Sequence, residues 1–409
     1  MKLWHFVGDV FEWLESRPHV SGVQRVALQL LWAGCAEDNA PDQPGPDDGV
    51  CTLAGSGRWL APVSTGQALA FFRPWLRPTG SAGQGRRLAP RSDMLLWPGP
   101  DEHVLFAGLV WIPLYAEIFR RLSAFGIRFS VLVHDIIPLQ RPDLASPEES
   151  ARFSEWLGVT LTTADAILVS TQVTRDAIRT WACDRGLVIK GHISVIPFGT
   201  SHLASPDPGI GRPKALPADP NGFVLSVGTI DRRKNQTLLL TIWTRLLAEL
   251  AAGRVPPLVL AGRPNLPGLE ALTRGLSASG KLVILDNSTD EQLAWLYRNC
   301  LFTVFPSLCE GYGLPVAESL SHGKLCVASS LPEVRELTGD LVWYFNPLDA
   351  DDAYGKLRLA IVDGTARAKA ETRIAASFVP VSWSESLAAI RTAAMRLDDA
   401  TYCDIRTRG

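Results

Sequence analysis

Short apolar runs and longer stretches of helical period alternate along most of the chain. In the second half, 223–228 (FVLSVG), 258–262 (LVLAG), 282–285 (LVIL), 301–305 (LFTVF) and 325–328 (LCVA) are runs of strand length. Unbroken apolarity of that length predicts strands buried on both faces. Between them, Leu238, Ile242, Leu246 and Leu250 put one apolar stripe on a helix that Gly253 would cap. Segments 269–277 and 290–298 repeat that helical period, 341–345 adds a strand, and helices are expected beyond Asp349, including 382–397. In the first half the same pattern predicts strands at 2–7, 127–133, 166–170 and 192–197. Helices are expected at 27–35 behind Ser21 as N-cap, and at 112–125, 147–163 and 171–183. Strand–helix alternation of this kind predicts α/β architecture with parallel sheets covered by helices on both faces.

The period fails over 201–222 (SHLASPDPGIGRPKALPADPNG), where Gly, Pro and polar residues dominate. This is a linker. It separates an N-terminal Rossmann-like domain (1–200) from a second one (223–380), leaving a helical segment (381–409) that can cross back onto the first. Residues 37–49 (EDNAPDQPGPDDG) read as an acidic surface loop. The 73–100 region, with Arg86, Arg87 and Arg91, reads as an acceptor loop, a plain surface loop or, with Trp75 and Trp97, a contact with a membrane surface.

A chain of 409 residues with 46% hydrophobic and 20% charged residues accommodates two globular domains. Its net charge of −2 generates no global field for nucleic acid. No apolar run reaches the roughly 18–20 residues of a membrane span, and MKLWHFVGDVFEW lacks the features of a signal peptide. A cytoplasmic location is expected, with contact at the inner membrane face as an addition. Seven cysteines without a CxxC pair fit reduced core residues rather than a metal or disulfide set. Most of the thirteen tryptophans are expected in the core.

Candidate chemistry concentrates at 305–340. An apolar strand runs into Cys309-Glu310-Gly311-Tyr312-Gly313, then Leu314 and Pro315 open a helix that Gly323 ends. Such a turn aims unpaired N–H groups at whatever lies above the strand, an arrangement suited to phosphate. Glu310 and Glu318 can face the same pocket and accept from sugar hydroxyls; alternatively Glu318 answers the helix dipole and Glu310 is a loop charge. The segment 227–235 (VGTIDRRKN) places Arg232, Arg233 and Lys234 after Gly228 at a helix start. Each cation there is unfavourable by about 0.3 kcal/mol, a conflict that a bound diphosphate removes. His134 ends a buried strand, where ligands bind in α/β sheets. Asp135 either orients its imidazole or caps the next turn. Gly22, after the first strand, allows close backbone approach to a ligand. Asp349-Ala350-Asp351 spells DxD but opens a helix, which favours capping over metal binding.

Glu310 and Glu318, with seven residues between them, resemble the E-x7-E signature of glycosyltransferase family 4, retaining enzymes of the GT-B fold. SGVQRV at 21–26, VHDIIP at 133–138, ADAILVST, VIPFGT and VGTIDRRKN are similar to other segments of that family. The resemblance implies two Rossmann-like domains facing each other across a cleft. It implies that Glu310 contacts the donor sugar and Glu318 the ribose. Arg233 and Lys234 would hold the diphosphate with the amides of Gly311 to Leu314, His134 would lie near the sugar, and Gly22 near the phosphates or acceptor. Thr229 departs from the commoner pattern, which has Arg there; Arg233 is the candidate replacement and Arg232 the weaker one. Implied substrates are a sugar nucleotide and a saccharide or lipid-linked saccharide acceptor, in polysaccharide biosynthesis, with no cofactor and no metal. Mannosyl transfer from GDP-mannose is the first expectation; UDP-glucose, UDP-galactose and dTDP-rhamnose are alternatives. A dinucleotide-dependent oxidoreductase would need GxGxxG after an early strand, and none is present. A non-catalytic sugar-nucleotide-binding protein would lack one glutamate or both cations, and none is missing.

Overall fold

The computed structural model describes residues 1–16, 20–35, 48–53, 59–76, 95–200, 212–216, 222–286 and 288–396. Most of the 37–49 loop, most of the 201–222 linker, and Arg86, Arg87 and Arg91 lie outside these residues. The chain divides into two units, Met1–Gly199 with Val381–Gly409, and Thr200–Pro380.

The first unit opens with β1 (Lys2–Phe6), α1 (Gly8–Ser16), α2 (Gly22–Cys35), β2 (Gly49–Leu53), β3 (Leu60–Val63) and α3 (Thr65–Leu76). It continues with β4 (Glu102–Phe106), α4 (Pro113–Ala124), β5 (Phe129–Leu132), the single turn α5 (Ile137–Gln140), α6 (Pro147–Thr163), β6 (Ala166–Val169), α7 (Gln172–Cys183) and β7 (His192–Val195). Its sheet runs β3-β2-β1-β4-β5-β6-β7. All neighbours are parallel, as expected of this alternation, except β3, which joins β2 antiparallel at the edge. Ser146 opens α6 with a reciprocal capping box to Glu149. The core is a chain of rings: Phe106 meets Phe119 edge-on at 4.9 Å, and Phe119 stacks on Phe129 at 5.1 Å.

The second unit contains β8 (Val224–Val227), α8 (Gln236–Glu249), β9 (Leu258–Ala261), α9 (Leu269–Ala278), β10 (Leu282–Leu285), α10 (Asp290–Asn299) and β11 (Phe302–Phe305). After these come α11 (Leu314–Ser321), β12 (Cys326–Ser329), α12 (Pro332–Thr338), β13 (Trp343–Phe345), α13 (Ala350–Val362) and α14 (Gly364–Ser377). The sheet order is β10-β9-β8-β11-β12-β13, all parallel. In both sheets the first strand has the second on one side and the fourth on the other. The chain therefore leaves it in opposite directions, opening a crevice at the strands' carboxyl ends. Helix α8 stops at Glu249 with Leu250 as its cap, and Gly253 lies in a separate short turn beyond it.

The final helix, α15 (Trp383–Met395), packs on α2 and β6 of the first unit. Trp383 stacks on Phe198, and a Cβ at Gly199 would stand 2.6 Å from its ring, so that position admits only glycine. Arg391 donates to Asp48 Oδ2 at 2.6 Å and to the Met1 carbonyl. His5 Nε2 lies 3.1 Å from the same carboxylate, and the Leu3 N–H donates to Asp48 Oδ1. Asp48, expected in a surface loop, is thus a buried counter-ion. Among the described residues no helix is long and apolar enough to cross a membrane. Cys51, Cys300 and Cys326 are buried and unbridged, as expected, whereas Cys183 is exposed.

Asp48→Asn removes one partner of a buried charge pair and is expected to lower unfolding free energy by about 3 kcal/mol. Urea unfolding followed by tryptophan fluorescence measures it, and an unchanged midpoint would show that the triad contributes no net stability.

Candidate active site

The crevice of the second sheet lies where β8 and β11 end. Gly228, just past β8, has φ +135°, and the Lys234 side chain lies against the position where a Cβ would sit. Gly262, after β9, would place a Cβ 2.0 Å from the Gly228 carbonyl, so the strand ends come this close only because residue 262 is glycine. The following turn is bound on several sides. Asp231 Oδ1 accepts from Lys234 N at 2.8 Å, Leu308 N donates to the Arg233 carbonyl, and Asn235 Nδ2 donates to the Pro306 and Pro347 carbonyls. Asn235 itself is left-handed, φ 55°, at the start of α8. The β8–α8 turn is therefore tied to the loop after β11.

That tie brings together three residues singled out by sequence. Lys234 Nζ lies 2.6 Å from Glu310 Oε1, and Arg233 Nη1 lies 2.8 Å from Glu310 Oε2 and 3.1 Å from the Cys309 carbonyl. Arg233, not Arg232, is the arginine that reaches the acid. Burial alone would raise the Glu310 carboxyl, but Arg233 and Lys234 together outweigh it and hold it at about 2. Burial pulls the Lys234 ammonium below its ordinary value against the attraction of Glu310. One carboxylate thus has a cation on each oxygen.

The glycine turn leads directly into α11. Gly313 is left-handed, φ +105°, at its N-cap, with Pro315 in its first turn. The N–H groups of Gly311 to Leu314 therefore stand at the helix start beside Glu310. Glu318 lies further along α11, 3% exposed, and its Oε2 accepts from Tyr297 Oη at 2.6 Å. Tyr297, on α10, lies in a segment that the sequence marks only as helical. Only its hydroxyl, which a hydrophobic pattern ignores, marks it out.

His134 and Gly22 belong to the first unit. His134, just past β5, donates from Nε2 to the Ala107 carbonyl at 2.8 Å. Burial lowers its pKa, against that hydrogen bond and the Asp135 charge. Asp135 Oδ1 accepts from Ile137 N, so it caps the turn. Gly22 is the first residue of α2. Sequence reasoning passed over Asp9, in the first turn of α1. Its Oδ2 accepts from Leu109 N at 2.6 Å, and Gly108 can carry no Cβ because one would fall 1.8 Å from that oxygen. Burial pushes the Asp9 carboxyl up to about 7. An acid preceded by glycine in the turn after the first strand was its available signal.

Asp349 is a helix cap: its Oδ1 accepts from the N–H groups of Asp351 and Asp352, both at 3.0 Å, and Asp351 pairs with Arg245. Among the described residues, no group of three His, Cys, Asp or Glu side chains is placed to hold a metal ion.

Residues 211–376 match the family described as Glycosyl transferases group 1. The chain is 30% identical over 273 residues to the serotype-specific mannosyltransferase WbdA of Escherichia coli, covering 61% of this chain and 33% of that protein. It is also 30% identical over 164 residues to the O-antigen chain mannosyltransferase B of Escherichia coli, 40% of this chain and 42% of that one. It therefore spans about a third to two fifths of the length of these curated relatives. Sucrose-phosphate synthase from Thermosynechococcus elongatus superimposes with a TM-score of 0.54 at 19% identity, over 71% of this chain and 72% of that one. This likeness identifies the paired α/β units as the GT-B architecture.

Glu310 should be visible in acid unfolding. Between pH 4.5 and about 2 the unfolded chain takes up a proton that the folded chain refuses at this carboxyl. The stability it contributes is thus present above that window and lost as pH falls through it. Unfolding measured at about pH 5 and about pH 2.5 is expected to show the wild type losing roughly 1–3 kcal/mol more than Glu310→Gln. Equal losses would mean the cations do not hold this carboxylate.

Proposed function

We propose that the protein is a retaining glycosyltransferase that moves a hexosyl group from a sugar nucleotide to a hydroxyl of a saccharide or lipid-linked saccharide. GDP-mannose is the first-choice donor, and the setting is polysaccharide biosynthesis in the cytoplasm or at the inner membrane face. The observation that carries this is the cluster of Arg233, Lys234 and Glu310 beside the start of α11. The match to glycosyl transferases group 1 covers those residues, and the relatives named as mannosyltransferases favour the donor.

The chemistry follows from charge. As the glycosidic bond breaks, the anomeric carbon becomes cationic and the diphosphate leaves as an anion. Arg233, Lys234 and the amides of Gly311 to Leu314 stabilise that anion, with preorganised donors where charge develops. Glu310 accepts from hydroxyls of the transferred sugar, Glu318 from the ribose, and Gly228 lets the phosphates approach the β8 turn. Tyr312 is buried, 9% exposed. His134 and Gly22 serve the reaction from the first unit. With two cations on the leaving group and Asp349 committed to capping, the step needs no metal ion or other cofactor.

Release of nucleoside diphosphate from a panel of sugar nucleotides tests the proposal. GDP-mannose is expected to turn over fastest, and absence of turnover or binding across the panel would overturn it. Glu310→Gln is expected to lower turnover at least about 100-fold with the fold intact, as for loss of a transition-state contact. Lys234→Ala should weaken diphosphate binding by about 10- to 100-fold, the loss of one charged hydrogen bond, and leave nucleoside binding nearly unchanged. Activity in EDTA should equal activity without it, and a strict metal requirement would return Asp349 and Asp351 to consideration.

A further inference from the structure

We infer that Asp9 is a positioning residue for His134: by holding the Leu109 amide it sets the Ala107 carbonyl that fixes the imidazole. The link lies wholly within the first unit, and only its effect on turnover rests on the glycosyltransferase proposal above.

Asp9, in the first turn of α1, accepts at Oδ2 from Leu109 N at 2.6 Å. Two residues back in the same loop, the Ala107 carbonyl accepts from His134 Nε2 at 2.8 Å. Between them Gly108 lies over the carboxylate, where a Cβ would fall 1.8 Å from Oδ2 and 2.5 Å from Oδ1. The carbonyl and the N–H therefore belong to two rigid peptide planes that meet at the Gly108 Cα. Glycine is the residue whose backbone turns most freely, so that joint is loose unless something pins one plane. Asp9 pins it.

A neutral acceptor would be enough if Asp9 only filled space at the start of α1. The acid is instead kept where charge is expensive. It is 7% exposed, its Oδ1 has no hydrogen-bond partner, and Glu12 on the same helix repels its charge. What the charge adds is a stronger bond to the Leu109 amide.

A carbonyl only accepts, so Nε2 of His134 carries the proton and Nδ1 keeps the lone pair in the neutral ring. Burial, which favours the neutral ring, works in the same direction. The Ala107 carbonyl thus sets both tautomer and ring orientation, and Asp9 sets the carbonyl.

The link also carries the charge state of Asp9. The titratable groups that act on Asp9 or feel its charge are Glu12 of α1 and Tyr115 of α4, and Asp135 stands beside His134. Burial, and then the charges of Asp9 and Glu12, keep the Tyr115 phenol neutral. Burial pushes Asp9 up to about 7. Across neutral pH this carboxyl changes from a weak acceptor to a charged one, and the imidazole at the far end of the link reports the change.

Nitrogen-15 NMR of the full chain labelled at histidine, with His134→Gln to assign the signal, tests the link. The wild type is expected to show the Nε2–H tautomer, with a step at about pH 7 from Asp9 and the ring's own titration at lower pH. Asp9→Ala should mix the tautomers and lower turnover of GDP-mannose by about 10- to 100-fold, as for a misplaced contact. Nucleoside diphosphate binding, assigned to the second unit, should stay unchanged. Asp9→Asn keeps an acceptor without the charge, and should restore the tautomer while abolishing the step. A merely structural acid would lower the melting temperature and leave the His134 signals alone. Should Asp9→Ala fail to fold, loss of the step in Asp9→Asn carries the test. An Nδ1–H ring in the wild type, unchanged His134 signals in folded Asp9→Ala, or a step that survives in Asp9→Asn overturns the inference and leaves the glycosyltransferase proposal standing. The expected NMR changes without turnover of any sugar nucleotide would bring down that proposal and leave the link intact.

Discussion

A single buried carboxylate shared by two cations governs the second unit. Lys234 on one oxygen and Arg233 on the other compensate the burial of Glu310, and the acid compensates them in return. Buried charge is tolerated only with such partners. In the proposed reaction the same three groups divide differently: a diphosphate competes with Glu310 for the cations, and sugar hydroxyls take the place of cations on the acid. Phosphate recognition and sugar recognition are then coupled through one exchange of partners. A nucleotide alone or a free sugar alone would leave part of that exchange incomplete.

The exchange depends on backbone geometry more than on side chains. Strands β8 and β11 are neighbours in space, and Arg233 and Lys234 lie 77 and 76 positions from Glu310 in sequence. Only the reversal of strand order at β8 brings their loops together. Asn235 then ties the β8 turn to Pro306 and Pro347, while Gly262 permits contact with the Gly228 carbonyl that a side chain there would block. The conflict of cations with a helix start is also settled locally. Asn235 turns left-handed, so α8 begins at Gln236, and both side chains are carried to Glu310 instead of lying over the helix dipole.

What sequence revealed, and what it hid, follows from range and periodicity. Strand β10 was legible to the residue, because an isolated LVIL run between turns permits little else. Strand β4 (EHVLF) was not, because its His103 is buried through a bond to Ser130 and interrupts the apolar run. Helix α1 was hidden by Gly8 and Asp9 at its start, which read as a turn. Asp48 was assigned to solvent by its acidic, Pro-rich neighbours, while its partners His5 and Arg391 lie 43 and 343 positions away. The cluster of Arg233, Lys234 and Glu310 was legible through a spacing, E-x7-E, together with the cation run. Tyr297 was not, since its hydroxyl sits on a helix face that is otherwise apolar.

The two sheets share a topology yet differ in the charge at their crevices. At the ends of β8 and β11 stand two cations, one strongly acidic carboxyl and a helix start. Beyond the ends of β1 and β4, burial pushes the Asp9 carboxyl up to about 7, and it accepts from an N–H group of the loop after β4. Nearby in the chain order of that sheet, burial favours the neutral form of His134, which donates to a carbonyl. A fixed cation pair stabilises an anion that is leaving. Weakly ionised groups suit hydroxyls, which they can hydrogen bond without paying for full charge desolvation. On the proposed function, the fixed cations of the second unit suit the diphosphate, and the weakly ionised groups of the first suit hydroxyls.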